Sequence, residues 1–303
     1  LELCDVAAMK AGATPMGPPK IDLLVFPEFT FTGYNFEWTR DDWQKVAIEV
    51  PGEETEIIGK KAKELDAYIV FTAHTKDPKN WPQHYFNTSL IIDPRGEVIH
   101  QHWKAYRCTA GVYEWATTVH DVLDKFVEMY GWDAIWPIAQ TPIGNLATYV
   151  CSEGFAPETA RAFAFKGAEI LCRCWGGGGS PVEKAGKGRL QFRADCANSL
   201  VYGIMANCAN GGSMIVDPLG RIQQEILDDR EGVIFERIPI AQFRSEHARP
   251  FIRTEIYVPS LTQVPGRFPP NMYLDNGVPY SSDEAFKLCE QHARFWSPWT
   301  ANR

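Results

Sequence analysis

The stretch Ile143-Gly-Asn-Leu-Ala-Thr-Tyr-Val150-Cys151-Ser-Glu-Gly-Phe-Ala-Pro-Glu158 decides how this chain is read. An apolar, strand-like run stops at a cysteine, turns over a glycine and enters a helix at a proline. That geometry sets the sulfur at the mouth of a sheet. The backbone N–H groups that follow face outward, where an anion can be held. Two further polar residues end strand-like runs upstream. Glu28 follows Ile21-Asp-Leu-Leu-Val-Phe-Pro27, and Lys104 follows Glu97-Val-Ile-His-Gln-His-Trp103. A thiol, a carboxylate and an ammonium so placed are the parts of a covalent hydrolase.

Composition narrows the class. The chain has 303 residues, 45% apolar and 22% charged, enough for a large core. No run approaches the roughly 20 apolar residues of a membrane helix, and no basic-then-apolar leader is read at the start. The net charge of −8 argues against a nucleic-acid partner. Eight cysteines are dilute and form no CxxC pair, so reduced thiols in a cytoplasm are expected. Cys172 and Cys174 alternate along one strand and read as small buried hydrophobes. His100 and His102 share a strand face without a third clustered ligand, so neither a metal nor a cofactor is expected. The glycine run at 176–179 lacks the context of a phosphate loop and reads as a place of close approach.

Periodicity supplies the frame. Helices are expected over 1–10, 53–65, 119–130, 157–166 and 191–199. Ile57, Ile58, Ala62 and Leu65 form the apolar stripe of the second. Residues 67–73, 143–150, 170–175 and 201–208 read as buried strands. Hairpins are expected over 85–103 and through 213–239. Strands alternating with helices, plus hairpins, indicate an α/β domain with a mixed sheet arrangement over 1–243. Residues 244–303 are Pro-rich and aromatic without periodicity, and read as a strap over the domain or a partner subunit. Phe251, Ile256, Tyr257, Phe268, Tyr273, Phe295, Trp296 and Trp299 would otherwise face water, so at least a homodimer is expected.

Phe26-Pro-Glu28-Phe, Trp103-Lys104 and Cys151-Ser-Glu-Gly-Phe-Ala-Pro-Glu158, in this order, resemble the Glu–Lys–Cys signature of the nitrilase, or carbon–nitrogen hydrolase, superfamily. Asn87-Thr-Ser-Leu-Ile-Ile-Asp-Pro-Arg-Gly96, Lys166-Gly-Ala-Glu-Ile-Leu171 and Asn207-Cys-Ala-Asn-Gly211 agree with it. Gly167-Ala-Glu-Ile-Leu-Cys-Arg-Cys174 looks most like the aliphatic amidase and formamidase branch. Typical nitrilases carry Cys-Trp-Glu where this chain has Cys-Ser-Glu, and an insertion-like block surrounds His120-Asp-Val-Leu-Asp124.

The resemblance implies an α-β-β-α four-layer sandwich. It would place one further strand before the opening helix, which the sequence here does not supply. It also implies roles. Cys151 is the nucleophile and Glu28 the proton shuttle. Lys104 and the N–H of Ser152 receive the oxyanion. Glu114 maps best to the family's second glutamate, and Trp175 to the substrate-facing wall. Glu153 and Glu158 read as structural, Glu158 in a helix's first turn. The implied activity is hydrolysis of a small amide through a Cys151 thioester. A nitrilase using the same residues, or a catalytically silent binding relative, are the alternatives. A papain-like cysteine–histidine hydrolase fits neither the cysteine's context nor the histidine spacing.

Overall fold

The computed structural model describes residues 1–13, 20–35, 37–107, 115–177, 184–209, 211–228, 230–246, 250–264 and 266–294. Helix α1 (Glu2–Ala13) leads to strand β1 (Leu23–Val25), then to α2 (Arg40–Val46) and α3 (Glu53–Leu65). Strands β2 (Tyr68–Thr75), β3 (Phe86–Ile92) and β4 (Val98–Trp103) follow. A 3-10 turn at Val119–Val122 opens α4 (Leu123–Tyr130), and β5 (Ala139–Thr141) pairs with β6 (Gly144–Val150). After a further 3-10 turn, Cys151–Phe155, come α5 (Pro157–Phe165), β7 (Ile170–Trp175), α6 (Lys184–Ser199) and β8 (Tyr202–Asn207). Strands β9 (Ser213–Val216) and β10 (Ile222–Ile226) close the sheet region. Helices α7 (Ile240–Glu246), α8 (Thr254–Leu261), α9 (Met272–Asn276) and α10 (Ser282–His292) complete the described chain.

Two sheets result, in the orders β1-β2-β3-β4 and β10-β9-β8-β7-β6-β5. In the second, β6, β7 and β8 run parallel, with Val150 opposite Cys174 and Cys174 opposite Ala206. These central strands are covered on both faces, which is why they are mostly apolar. The period of two assigns the layers. Val70, Ile91, Leu146, Ile170, Cys172 and Cys174 form the core between the sheets. Ile69, Phe71, Leu90 and Ile92 point the other way, onto α1 and α3. Ala147, Tyr149, Leu171 and Trp175 face α5 and α6 through Phe163, Phe192 and Cys196. The architecture is the expected four-layer α-β-β-α sandwich.

Several elements differ from the sequence expectation. In α3, Ile58, Ala62 and Leu65 pack against the core as expected, Thr55 and Gly59 are buried as well, and Ile57 is exposed. α6 begins at Lys184 rather than at 191, and residues 232–239 carry no strand. Part of the tail packs on its own domain. Phe268, Met272, Tyr273, Val278 and Cys289 are buried in the chain's own core, against Trp81, Phe86, Val122 and Phe126. The Tyr273 hydroxyl donates to the Trp115 carbonyl at 3.0 Å, and Asn271 N–H to that of His120 at 2.8 Å. Apolar side chains spaced too irregularly for one helix are buried by two short ones, α9 and α10. Phe251, Ile256 and Tyr257 do remain exposed, on and before α8. Phe295, Trp296 and Trp299 lie outside the described residues.

Candidate active site

The inner face of β4 carries His100 and His102 toward the opposite sheet, and the same period brings Lys104 to that side just past the strand end. His100 Nε2 meets Thr148 Oγ1 at 3.1 Å, and Thr148 Oγ1 meets Ser89 Oγ at 2.5 Å. Burial pushes the His100 imidazole down to about 3. It is a neutral tie between sheets. His102 Nε2 lies 3.0 Å from Glu153 Oε2. Both histidines thus have structural partners, and among the described residues no cluster suits a metal ion.

Glu28 follows β1 and is fully buried, where a bare carboxylate would be costly. Three groups compensate it. Asn87 Nδ2 donates to Oε1 at 2.8 Å, the Gly176 N–H donates to Oε2 at 2.8 Å, and the Lys104 ammonium stands 3.6 Å from Oε1. A Cβ on Gly176 would lie 2.7 Å from Glu28 Oε2 and 2.7 Å from the Phe29 ring, so only glycine lets this backbone N–H reach the carboxylate. That is the close approach expected of the glycine run; residues 178 and 179 lie outside the described ones. Lys104, 2% exposed, is as buried as its partner. The charged pair is enclosed, hydrogen-bonded and sited at strand ends, where such groups serve chemistry more often than stability.

Cys151 sits at the end of β6, half-buried, with φ of 49°. A left-handed backbone at a side-chain-bearing residue costs on the order of 1–3 kcal/mol and persists only when its surroundings enforce it. Phe29, next to Glu28, shows the same feature at φ 63°. The enforcing contacts at Cys151 are visible. The Glu153 carboxylate turns back under the 3-10 turn and accepts from Val150 N–H at 2.7 Å, from Ala105 N–H at 2.7 Å and from His102. One carboxylate therefore ties the residue before Cys151 to the residue after Lys104. The Cys151 carbonyl accepts from Arg173 Nε at 3.1 Å and Nη2 at 2.8 Å.

Of the other site residues expected from the sequence, Ser152 is half-buried within the 3-10 turn. Trp175 is buried against α6, its indole beside the Arg173 guanidinium at 4.9 Å, and it meets the site through the next residue, Gly176. Glu114 lies outside the described residues. Glu153 is structural as expected, and Glu158 is exposed in the first turn of α5. Asn87 and Arg173 were not expected as contributors from the sequence. Asn87 had a signal, because an amide stands at the second position of the wholly buried strand β3. Cys208, just past β8 and exposed, also neighbours the site; partial desolvation first, then the Glu28 charge, pushes its thiol up.

Comparison with known proteins bears on the family and the fold. Formamidases of Bacillus thuringiensis (strain Al Hakam) and Bacillus cereus (strain AH820) are each 30% identical over 202 residues, 65% of this chain and 53% of the relative. The chain thus spans about half the length of the curated relatives it matches. Among solved structures, Saccharomyces cerevisiae Nit3, of the nitrilase superfamily, superposes with a TM-score of 0.56 at 20% identity, covering 74% of this chain and 77% of Nit3. The NitN amidase of Nesterenkonia sp. AN1 gives 0.58 at 18% identity, covering 85% and 91%. At these identities the structures speak for the fold alone. The match to the carbon-nitrogen hydrolase family runs over residues 3–247, and the chain belongs to that family.

Proposed function

We propose that this protein hydrolyses a small amide to a carboxylic acid and ammonia through a thioester on Cys151. The observation that carries the reading is the buried Glu28–Lys104 pair, 3.6 Å apart, beside a turn that holds a cysteine in a left-handed conformation. An amide carbonyl is a poor electrophile, so it needs a thiolate, a proton carrier and stabilisation of the oxyanion. Glu28 takes the Cys151 proton, and the sulfur attacks the carbonyl carbon. The oxyanion is received by the Lys104 ammonium and the Ser152 N–H. As the C–N bond breaks, Glu28 returns the proton to the nitrogen and ammonia leaves. Water, deprotonated by Glu28 with help from Glu114, then displaces the thiolate as the acid departs. No cofactor enters this chemistry.

That the relatives are named formamidases supports a short amide as the substrate. Residues 1–243 form the hydrolase unit in this reading and 244–303 its extension. The exposed apolar side of α8, with Ile256, Tyr257 and Leu261, favours a homodimer or larger assembly. The seven described cysteines outside any disulfide suit a reducing cytoplasm. Ammonia release across formamide, longer aliphatic amides, aryl amides, carbamoyl compounds and nitriles tests the reading. Turnover of at least one amide with nitriles untouched is expected; turnover of nitriles alone replaces the amidase with a nitrilase.

A further inference from the structure

Arg173 is an anomaly in its strand. Ile170-Leu-Cys-Arg-Cys-Trp175 is buried at every position, and its one charge is fully enclosed. The guanidinium carbon lies 4.9 Å from the Trp175 ring centre, 5.6 Å from that of Phe155 and 6.0 Å from that of Tyr149. Within this aromatic cage, Nε and Nη2 both donate to one acceptor, the Cys151 carbonyl. Gly154 presses on the same group from the turn, since a Cβ there would come 2.6 Å from the guanidinium carbon. Asp195 of α6 is the nearby carboxylate. Ionising a side chain in such a place is costly unless the charge has a task.

We infer that Arg173 is a positioning residue which builds the oxyanion site by fixing the Cys151–Ser152 peptide plane. In a trans peptide the C=O and the following N–H point in opposite directions. Arg173 belongs to the face of β7 that looks at α5 and α6, so it draws the Cys151 carbonyl toward that helix layer. The Ser152 N–H is thereby turned toward the inter-sheet side, where Lys104 and Glu28 lie. The two hydrogen bonds also hold the left-handed φ of Cys151. Preorganisation of this kind matters because a donor must already aim at the place where charge develops.

The inference rests on the proposed amidase reading, and its test separates the two. Arg173→Gln, Arg173→Lys and Gly154→Ala are compared with the parent in three assays. Iodoacetamide counts reactive Cys151 without any oxyanion, ammonia release gives kcat and KM, and propionaldehyde inhibition reports a hemithioacetal whose oxygen occupies the oxyanion position. The expected result for Arg173→Gln is alkylation within about twofold of the parent. Its kcat per alkylatable Cys151 should fall on the order of 100-fold, with KM nearly unchanged, as on removal of one oxyanion donor. Propionaldehyde inhibition should weaken in step. Arg173→Lys, with a single ammonium, should recover part of both losses, and Gly154→Ala should move the same two readouts by displacing the guanidinium. If Arg173→Gln is insoluble, the other two variants decide. Unchanged kcat per thiol and unchanged aldehyde inhibition would overturn the inference. So would alkylation lost in parallel with turnover, because that marks a role in folding alone. A parent that releases ammonia from no amide sinks the amidase reading instead, and the aldehyde arm still reads Arg173.

Discussion

The Glu153 carboxylate accepts a hydrogen bond from the N–H of Ala105 at 2.7 Å, across 48 residues of sequence. Its other oxygen holds Val150 N–H at 2.7 Å, so the ends of β4 and β6 share one anchor. Lys104 and Cys151 each lie one residue from that anchor. Their relative position is therefore set by a buried, charge-assisted contact rather than by loop packing.

Glu153→Gln keeps the size but weakens an acceptor serving two backbone donors and His102. We expect a loss of about 2–4 kcal/mol in stability, the range for breaking a buried charged network. Activity per folded molecule should fall as well. Chemical denaturation alongside ammonia release measures both, and a variant with parental stability contradicts the anchor.

Gly176→Ala tests the backbone approach to Glu28. The new Cβ would stand 2.7 Å from Glu28 Oε2, and the carboxylate, held also by Asn87, has little room to yield. A misplacement of about 1 Å can cost on the order of 100-fold in rate. We expect kcat/KM to drop by at least about tenfold with folding retained by circular dichroism. Parental kinetics would remove Gly176 from the site.

Asp195 supplies a pH signature. Burial pushes its carboxyl from 3.8 up to about 7, against the opposing pull of Arg173. A raised folded-state value means the folded protein holds this proton more tightly than the unfolded chain. The stability it lends is thus complete below about pH 4 and is lost as pH rises toward 7. Asp195→Asn mimics the protonated form. Its stability relative to the parent should be near zero at pH 4 and rise to at most about 4 kcal/mol at pH 8. Urea midpoints at both values read this, and a difference independent of pH contradicts it.

The exposed side of α8 bears on assembly. Ile256, Tyr257, Val258 and Leu261 are each at least 50% exposed, an apolar surface that soluble monomers avoid. Sedimentation should give a dimer or larger species at micromolar concentration. The double variant Ile256→Glu with Leu261→Glu should shift it toward monomer. A parent sedimenting at 34.2 kDa contradicts the assignment.

The catalytic candidates were legible because each interrupts an apolar run at its end. Cys151 closes β6, Lys104 continues the polar face of His100 and His102, and Glu28 follows β1. An α/β domain was legible from strands buried on both faces alternating with helices, whereas the four layers followed from the family resemblance. Other elements carried weaker local patterns. α2 buries only Trp43 within Arg-Asp-Asp-Trp-Gln-Lys-Val, so its polar residues hide the helix. α10 buries Ala285 and Cys289 alone, too few to mark a period, and the tail's contribution to the core appears only in three dimensions. Residues 232–239 alternate like a strand but find no neighbouring edge to pair with among the described residues. Arg173 was visible as a charge inside a wholly apolar strand, yet its acceptor, a backbone carbonyl 22 residues earlier, leaves no mark in sequence.

The proposed mechanism stands on the thioester at Cys151. Rapid quenching of the protein with its best amide, followed by intact-protein and peptide mass spectrometry, tests it most directly. An added acyl mass is expected on the peptide containing Cys151 and is expected to be absent from Cys151→Ala, which should fold but release no ammonia. Acyl mass on another residue, or turnover above a few percent of the parent in Cys151→Ala, would contradict it.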